Sequence, residues 1–267
     1  MKILFWNTHN NPNINSTLSD LIVENSISMV VLAEYKDDMK KLLSDLSTKD
    51  IHMKKQPTFT CERIIVISSC KNIVSGRQTK YATFQIINNK DIFCCIHLPS
   101  QIYSDHQGRR NIAISKIVND IESTELEYKT QNTIIVGDFN ENPYDDGCLS
   151  AERFHGIPTY KETERKQRTV SGEKFSMFYN PMWNLLGDFN SPPGTYYYDS
   201  GNSRMTYWNM FDQVLIRPEL RKRFVDTSLQ IITTTQKDSL IDKGGHPKNE
   251  ISDHLPIVFE IKEDTYA

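Results

Sequence analysis

Short apolar runs alternate with amphipathic stretches of helical length along the whole of this 267-residue chain. No repeat, low-complexity tract or linker-like segment interrupts the pattern. Runs of this length are typical of buried strands, and their alternation with helices favours an α/β fold. We therefore expect one domain over residues 1–267, with two sheets and outer helices.

The same pattern locates the individual elements. The first helix lies between two strands in a β-α-β unit, with Asn15 or Ser16 as its N-cap. A second unit of this kind follows later, and three consecutive strands before it suggest antiparallel pairing. Residues 141–210 carry much of the Pro, Gly and Asn, so we expect long loops with short elements there. Predicted strands cover residues 2–8, 29–34, 63–68, 81–87, 91–98, 133–136, 211–216, 229–234 and 256–262, and predicted helices lie around residues 18–22, 39–46, 114–121 and 218.

Composition narrows the possible partners and compartment. Basic and acidic residues nearly balance, 31 against 34, so a polyanionic substrate needs a local basic patch or a metal ion. The apolar run near the N-terminus is too short for a signal peptide or membrane span, so we expect a cytoplasmic protein without a membrane partner. No obligate protein partner is visible. Five cysteines without a C-x-x-C pair indicate buried free thiols.

Polar residues recur where the predicted strands end. Strand ends are where sites assemble in α/β sheets, although a single polar residue there is more simply a solvated loop residue. The whole set is harder to explain in that way. Its members are Asn7, Glu34, His97, Asp138, Asn140, Asp253 and His254.

Six motifs carry these residues, and together they resemble a known family. They are W-N at 6–7, L-A-E at 32–34, H-L-P-S at 97–100, G-D-F-N-E-N-P at 137–143, F-D-Q-V-L at 211–215 and S-D-H-L-P-I at 252–257. This set resembles the endonuclease/exonuclease/phosphatase superfamily, the group of DNase I and exonuclease III. The resemblance implies a four-layer α/β sandwich, with two mixed β-sheets packed face to face and helices outside. It also implies phosphoester hydrolysis with a divalent metal, usually Mg²⁺, with Mn²⁺ as a second choice.

The chemistry of phosphoesters accounts for these residue types. A phosphodiester is anionic and repels a nucleophile, so the site needs a hard cation with oxygen ligands. By resemblance, Glu34 is the principal metal ligand with Asn7 beside it, and Asp253 approaches the metal region or a second cation. Asp138 would orient and deprotonate the attacking water. Asn140 would hold a phosphate oxygen.

The resemblance also assigns the histidines and one arginine. His254 would donate to the phosphoryl group as charge builds up, while Asp212 keeps it protonated and oriented. His97 resembles the second active-site histidine of the DNase I branch. Arg110 lies where many family members have a phosphate-contacting arginine, although the adjacent Arg109 could serve instead.

Two features leave alternatives open. The aromatic-rich stretch over residues 175–211 could stack nucleobases or could pack a long loop onto the sandwich. The tetrad G-D-F-N occurs twice, at 137–140 and at 187–190. The first copy directly follows an apolar run, so a rigid strand would hold its aspartate. We therefore assign the general base to Asp138 and not to Asp188.

The leading interpretation is a metal-dependent nuclease or related phosphodiesterase that cuts nucleic acid. The alternative is a phosphomonoesterase acting on a small phosphorylated molecule such as an inositol phosphate or a nucleotide. Two motifs argue against specific subgroups of this family. H-L-P-S stands where abasic-site endonucleases usually have V-P-N, and W-N-M-F-D-Q stands where inositol polyphosphate 5-phosphatases have P-x-W-C-D-R. A non-catalytic binding module would require loss of a metal ligand, base or histidine, and none is missing.

Overall fold

The computed structural model describes residues 1–100, 107–199 and 206–263. Its strands are β1 (Lys2–Asn7), β2 (Met29–Ala33), β3 (Lys54–Lys55), β4 (Ile64–Ser68), β5 (Ile73–Gln78), β6 (Ala82–Ile87), β7 (Asp91–His97), β8 (Thr133–Asp138), β9 (Gly156–Ile157), β10 (Gln167–Val170), β11 (Glu173–Ser176), β12 (Phe178–Tyr179), β13 (Tyr196–Tyr197), β14 (Trp208–Asn209), β15 (Asp212–Ile216), β16 (Gln230–Ile231) and β17 (Ile257–Glu260). Its α-helices are α1 (Asn15–Glu24), α2 (Met39–Thr48), α3 (Gln107–Tyr128), α4 (Asp146–Leu149) and α5 (Tyr160–Thr163). Short 3-10 helices cover Pro181–Leu185, Pro218–Leu220 and Asp226–Ser228.

Two mixed sheets contain most of the strands. The first sheet has the order β16-β17-β1-β2-β4-β3, and the second has the order β5-β6-β7-β8-β15-β12-β9. β1 is parallel to β2, and β7 is parallel to β8. A helix joins the strands of each parallel pair, α1 in the first sheet and α3 in the second, so both predicted β-α-β units are confirmed.

The sheets pack face to face between two outer layers of helix. Their inner faces share one apolar cluster, in which Phe5 of the first sheet and Val136 of the second are fully buried. On the outer face of the first sheet, Leu18 of α1 packs in a cluster with Trp6, and α2 joins the same cluster. On the outer face of the second sheet, Ile117 of α3 is buried. The predicted four-layer sandwich is confirmed.

The start of α1 differs from the prediction. Asn15 is the first helical residue, and no side chain of the preceding residue caps the helix. The Asn15 N–H donates instead to the Asp37 carboxylate at 2.8 Å. The N-cap assignment to Asn15 or Ser16 was therefore wrong, because a loop that follows β2 supplies the acceptor for this otherwise free N–H group.

The middle of the chain divides between the two sheets. β4 pairs antiparallel with β2, whereas β6 pairs antiparallel with β7, so only two of the three consecutive runs pair with each other. β3 and β5 were not predicted. β3 consists of two exposed lysines, and β5 is a partly exposed edge strand with an irregularity between Ser75 and Gln78. Edge strands of this kind lack the apolar run from which strands were predicted.

The remaining predictions concern loops and cysteines. Described residues between 141 and 199 form short elements in long connections, as expected, and the closing strands β16 and β17 are shorter than predicted. All five cysteines are free, and four of them are buried. Among the described residues, we find no helix with both the length and the apolar character needed to cross a membrane.

Candidate active site

The candidate active site is a cleft of about 380 Å³ where strand ends of the two sheets face each other. The residues at these ends form two rows, one per sheet, in the order of the strands that carry or adjoin them. Strands β17, β1, β2 and β4 give the first row, and strands β15, β8, β7 and β6 give the second. The first row is His254, Asn7, Glu34 and Arg63, and the second row is Asp212, Asp138, His97 and Tyr81.

Each member of the first row contacts the facing member of the second row. The site is therefore a series of four cross-sheet pairs, and it forms only when the two sheets pack together. The pairs are His254 Nδ1 to Asp212 Oδ2 at 2.8 Å, Asn7 Nδ2 to Asp138 Oδ2 at 3.0 Å, Glu34 Oε1 to His97 Nε2 at 3.6 Å, and Arg63 Cζ to the Tyr81 ring centre at 5.1 Å.

The His254–Asp212 pair is buried at one end of the rows. Burial alone would lower the pKa of His254, but the carboxylates of Asp212, Asp138 and Asp253 outweigh it and raise the pKa to about 10. The imidazole is therefore a cation at neutral pH. The ring of Tyr196 lies 4.7 Å from the imidazole ring, centre to centre, and covers it. His254 can donate a hydrogen bond to an anion without first gaining a proton.

Asp138 lies at the end of β8 and is almost fully buried. Its Oδ1 accepts from the Asn140 N–H at 2.8 Å, and its Oδ2 accepts from Asn7 Nδ2 at 3.0 Å. Burial raises its pKa to about 7, against the lowering effect of the His254 charge. A fixed carboxylate with a pKa near neutrality suits general-base chemistry.

His97 lies between two carboxylates at the end of β7. Its Nε2 is 3.6 Å from both Glu34 Oε1 and Asp138 Oδ2. Burial, followed by the charges of Arg63 and His254, lowers its pKa to about 3. The ring is therefore neutral at physiological pH, and His97 forms no ion pair with either carboxylate.

Glu34 and its neighbours line the side of the cleft that belongs to the first sheet. Glu34 has a left-handed backbone with φ 50°, and its Oε2 accepts from Asn10 Nδ2 at 2.7 Å. Asn7 Oδ1 accepts the His9 N–H at 3.1 Å, which leaves one lone pair of that oxygen. Asp253 also lines the cleft, with its Oδ1 3.1 Å from His9 Nδ1.

These residues fit a divalent cation. Glu34 and Asp253 bring carboxylate oxygens and Asn7 brings an amide oxygen to one cleft, beside the Asp138 carboxylate. A set of carboxylate and amide oxygens is typical of the ligands of hard cations.

Asn140 and Arg110 are placed differently from each other. Asn140 lines the cleft in a left-handed conformation with φ 49°, and its Nδ2 donates to the Leu98 carbonyl at 3.0 Å. Arg110 is only 1% exposed, with its Nε 2.7 Å from Glu141 Oε1 and its Nη1 donating to the Asn140 carbonyl. The assignment of Arg110 to substrate phosphate was therefore wrong, because this side chain is buried behind the Asn140 turn and supports it.

The two G-D-F-N tetrads occupy different environments. The first ends β8 and brings Asp138 into the cleft. The second lies in a surface loop, where Asp188 and Phe189 are exposed. The first motif continues into Asn142, whose Nδ2 donates to Asn209 Oδ1 and whose Oδ1 accepts the Met210 N–H. Asn142 thereby ties the loop to the segment before Asp212.

The described part of the aromatic-rich stretch has both packing and surface roles. Tyr196 and Phe211 stack with ring centres 5.2 Å apart and line the cleft. Tyr197 stacks on His246 at 3.7 Å between ring centres, and Tyr207 is 55% exposed. Packing accounts for the first pair. Sequence reasoning did not identify Arg63 and Tyr81, because neither belongs to a motif.

The chain has the DNase I-like fold, which it shares with several solved structures. The chain is similar to a 3′-5′ exonuclease from Neisseria meningitidis, with a TM-score of 0.58 and 15% identity over 98% of this chain and 100% of that one. It is also similar to an AP endonuclease from Archaeoglobus fulgidus, with a TM-score of 0.58 and 12% identity over 98% and 100% of the two chains. The human Nocturnin catalytic domain gives a TM-score of 0.53 and 12% identity over 97% and 93%.

Sequence comparison adds nothing to this structural likeness. No protein-family model matches the chain, and no curated protein sequence matches it. At the identities found, similarity to solved structures establishes the fold alone. The activity has to be argued from the residues in the cleft.

Proposed function

We propose that this chain is a divalent-metal-dependent phosphodiesterase that hydrolyses nucleic acid. The observation that carries the proposal is the buried His254–Asp212 pair next to Asp138, in a cleft that also holds Glu34 and Asp253. The His254 imidazolium, which can stabilise the phosphoryl group, and the Asp138 carboxylate, which can act as a base, therefore lie in the same cleft. The likeness to a 3′-5′ exonuclease and an AP endonuclease supports nucleic acid as the substrate.

Asp138 acts as the general base. The hydrogen bonds from Asn7 and the Asn140 N–H fix its carboxylate at the floor of the cleft. It takes a proton from a water molecule as the water oxygen attacks phosphorus in line with the leaving oxygen. The bond from phosphorus to the leaving oxygen breaks as the new bond forms.

His254 stabilises the negative charge that builds up on the phosphoryl oxygens. Asp212 accepts from its Nδ1 at 2.8 Å, which leaves the Nε2–H to donate to a phosphoryl oxygen. The second N–H of the Asn140 amide provides a further donor, since only one is needed for the Leu98 carbonyl. Neutral His97 holds its position between Glu34 and Asp138 and does not compete for the proton.

Mg²⁺ is the cofactor that we propose, with Mn²⁺ as a substitute, held by Glu34, Asn7 and Asp253. When bound, such an ion withdraws charge from the phosphoryl oxygens and favours ionisation of water. The donor atoms are oxygens, which favours these ions over zinc.

One observation favours a second candidate function, phosphomonoester hydrolysis. The chain is similar to a 3′ phosphatase from Neisseria bound to product DNA hairpin, with a TM-score of 0.57 and 14% identity over 98% of this chain and 100% of that one. The same cleft residues would serve a monoester at a strand end. The substrate test therefore needs diesters and monoesters together.

The experiment compares purified protein on single-stranded DNA, duplex DNA, RNA, bis-p-nitrophenyl phosphate, a 3′-phosphorylated oligonucleotide and inositol phosphates. We expect cleavage of diesters with Mg²⁺ or Mn²⁺ and no turnover in excess EDTA. Asp138→Asn should lower turnover by about 10³-fold or more. Asp188→Asn removes the same charge from the second tetrad and serves as the matched control with near-normal activity.

Three results would contradict the proposal in different ways. Phosphate release from monoesters alone would favour the phosphomonoesterase. Full activity in excess EDTA would exclude the metal-dependent mechanism. A folded protein that turns over none of these substrates with either metal would support a non-catalytic binding module.

A further inference from the structure

The cleft has a cationic end that no catalytic role uses. Arg63 directly precedes β4 and lies beside Glu34, because Ile64 pairs with Ala33 in the antiparallel register of β2 and β4. Of the lysines and arginines, only Arg63 belongs to the described lining of the cleft. It is partly buried, and no described acidic side chain forms an ion pair with it. Among the described residues, this arginine therefore lies near several carboxylates without an ionic partner.

An aromatic ring holds this guanidinium in place. Arg63 Cζ lies 5.1 Å from the centre of the Tyr81 ring, and Lys80 Nζ lies 5.7 Å from the same centre. The Tyr81 carbonyl accepts the His97 N–H at 3.0 Å, which attaches the ring to the end of the catalytic row. Cation–π contact orients the guanidinium and leaves its N–H edge free to bind an anion.

The position along the rows separates this end from the reacting phosphate. Asp138 and Asn7 form the second cross-sheet pair, and Arg63 and Tyr81 form the fourth. Adjacent strands are about 4.8 Å apart, so the two pairs are separated by about 10 Å along the edge of the sheets. One phosphate group does not span that distance, whereas a nucleic-acid strand lying along the cleft carries a second phosphate.

We infer that Arg63, supported by Tyr81, forms a second phosphate subsite, which binds a phosphate group of the substrate other than the one hydrolysed. A planar guanidinium matches phosphate oxygens in a two-point arrangement, and its charge needs no proton transfer. The subsite extends the proposed function, because it selects substrates with at least two phosphate groups. It predicts a preference for oligonucleotides over simple diesters.

The test uses substrates that differ only in the second phosphate. Wild-type protein, Arg63→Gln and Arg63→Lys are compared on bis-p-nitrophenyl phosphate, on the thymidine dinucleotide TpT, and on pTpT and TpTp, which carry a terminal phosphate. Wild-type kcat/KM should be higher for pTpT or TpTp than for TpT by about tenfold or more. Arg63→Gln should abolish that difference, because it lowers kcat/KM on pTpT or TpTp more than on the two single-phosphate substrates, and Arg63→Lys should retain part of it.

The control is Arg77→Gln, which removes an exposed arginine of β5 that pairs with Glu127 at 3.1 Å outside the cleft. It changes the net charge by the same amount and should keep the preference of the wild type. Melting temperatures of all variants exclude a folding defect as the cause of any loss.

The outcomes separate this inference from the proposed function. Equal loss on all four substrates in Arg63→Gln would place the guanidinium on the reacting phosphate and overturn the inference. An unchanged preference in Arg63→Gln, or no preference in the wild type, would overturn it as well. Failure of wild-type protein on every substrate with Mg²⁺ and Mn²⁺ would instead refute the proposed phosphodiesterase and, with it, a subsite for its substrate.

Discussion

Glu34 places a carboxylate in the cleft from a backbone conformation that is unfavourable for residues other than glycine. Its φ is 50°, in the left-handed region, where a side chain beyond glycine costs about 1 kcal/mol. The Glu34 carbonyl accepts from the Asn10 N–H at 2.9 Å and from Thr8 Oγ1 at 3.1 Å, and these bonds hold the strained turn. Asn140 repeats the conformation at φ 49° on the other side of the cleft. Two of the left-handed residues thus lie where we propose metal and phosphate to bind.

We predict that Glu34→Gly is more stable than Glu34→Ala by about 1 kcal/mol, although both lose the carboxylate. Alanine keeps the left-handed penalty, whereas glycine removes it. Urea denaturation of the two variants measures the difference in unfolding free energy. Equal stabilities would mean that the turn carries no strain, and greater stability of the alanine variant would contradict the backbone argument outright.

The His254–Asp212 pair gives a second prediction at this scale. His254→Ala should lower turnover by about 10³-fold or more, and Asp212→Asn should lose a large part of the same amount. The two residues act as one unit through the 2.8 Å hydrogen bond, so the double variant should be no worse than His254→Ala alone. Steady-state kinetics of the three variants give the answer. A double variant whose defect is the product of the two single defects would show that they act independently.

At the residue level, the sequence located members of the cleft where a motif marks a strand end, and their chemical roles stay predictions. Asn7, Glu34, Asp138 and His254 were predicted because each follows or precedes an apolar run, and the structure places them in one cleft. Arg110 was misplaced because the motif does not show that Glu141 pairs with it in the interior.

At the scale of elements, one close approach between strands fixes the position of the general base. Gly137 is the penultimate residue of β8, opposite Ile96 of β7. A Cβ atom at Gly137 would overlap the Ile96 carbonyl. Only glycine therefore allows β7 and β8 to pair as they do directly before Asp138. The first G-D-F-N motif thus requires its glycine for packing and its aspartate for chemistry.

We predict that Gly137→Ala destabilises the protein by about 3 kcal/mol, since either β7 or β8 must move. The matched control is Gly108→Ala in α3, where a Cβ meets no atom within 4 Å and alanine is favoured in a helix. Thermal and urea denaturation compare the two variants with the wild type. A Gly137→Ala protein as stable as Gly108→Ala would show that the strands tolerate the side chain.

Element-level prediction depended on burial. Strands with continuous apolar runs, such as β1, β2 and β7, were found because both of their faces are covered. The lysines of β3 and the partly exposed residues of β5 carry no such signal, since hydrogen bonds to a neighbouring strand form them without burial. β9, β12, β13 and β14 were missed for a different reason, since a strand of two residues is too short to show an apolar run.

At the scale of the whole molecule, the site belongs to neither sheet alone. The Trp6 indole donates to the His254 carbonyl at 2.9 Å, and Ser252 Oγ donates to the Asn7 carbonyl at 2.7 Å, so the two ends of the chain meet beside the cleft. The pairing of Arg63 with Tyr81 depends on how one sheet lies over the other. Periodicity along the chain contains no information about that offset, which is why the sequence indicated the His254–Asp212 pair through a family resemblance but not the pairing of Arg63 with Tyr81.

The carboxylates of the cleft come from both sheets, and this arrangement links metal binding to global stability. Glu34 and Asp253 adjoin the first sheet, and Asp138 belongs to the second, so a cation held by Glu34 and Asp253 offsets their repulsion with Asp138 across the sheet interface. An ion that binds only the folded state stabilises it by about 2.7 kcal/mol at a concentration 100 times its Kd. Since each kcal/mol of added stability raises the Tm of a domain of this size by about 2–4 °C, Mg²⁺ at this concentration should raise Tm by roughly 5–10 °C.

Glu34→Gln tests this link without changing side-chain volume. We expect it to reduce the Mg²⁺-dependent rise in Tm, because the variant loses one of the charged ligands that we propose, whereas Asp188→Asn should keep the full rise. Differential scanning calorimetry in EDTA and in increasing Mg²⁺ gives both curves. A wild-type Tm that does not change with Mg²⁺ or Mn²⁺ would place the cation elsewhere. An equal rise of Tm in Glu34→Gln and in the wild type would do the same. Because Tm is read without substrate, this result bears on the metal site even if the reaction is not the one proposed.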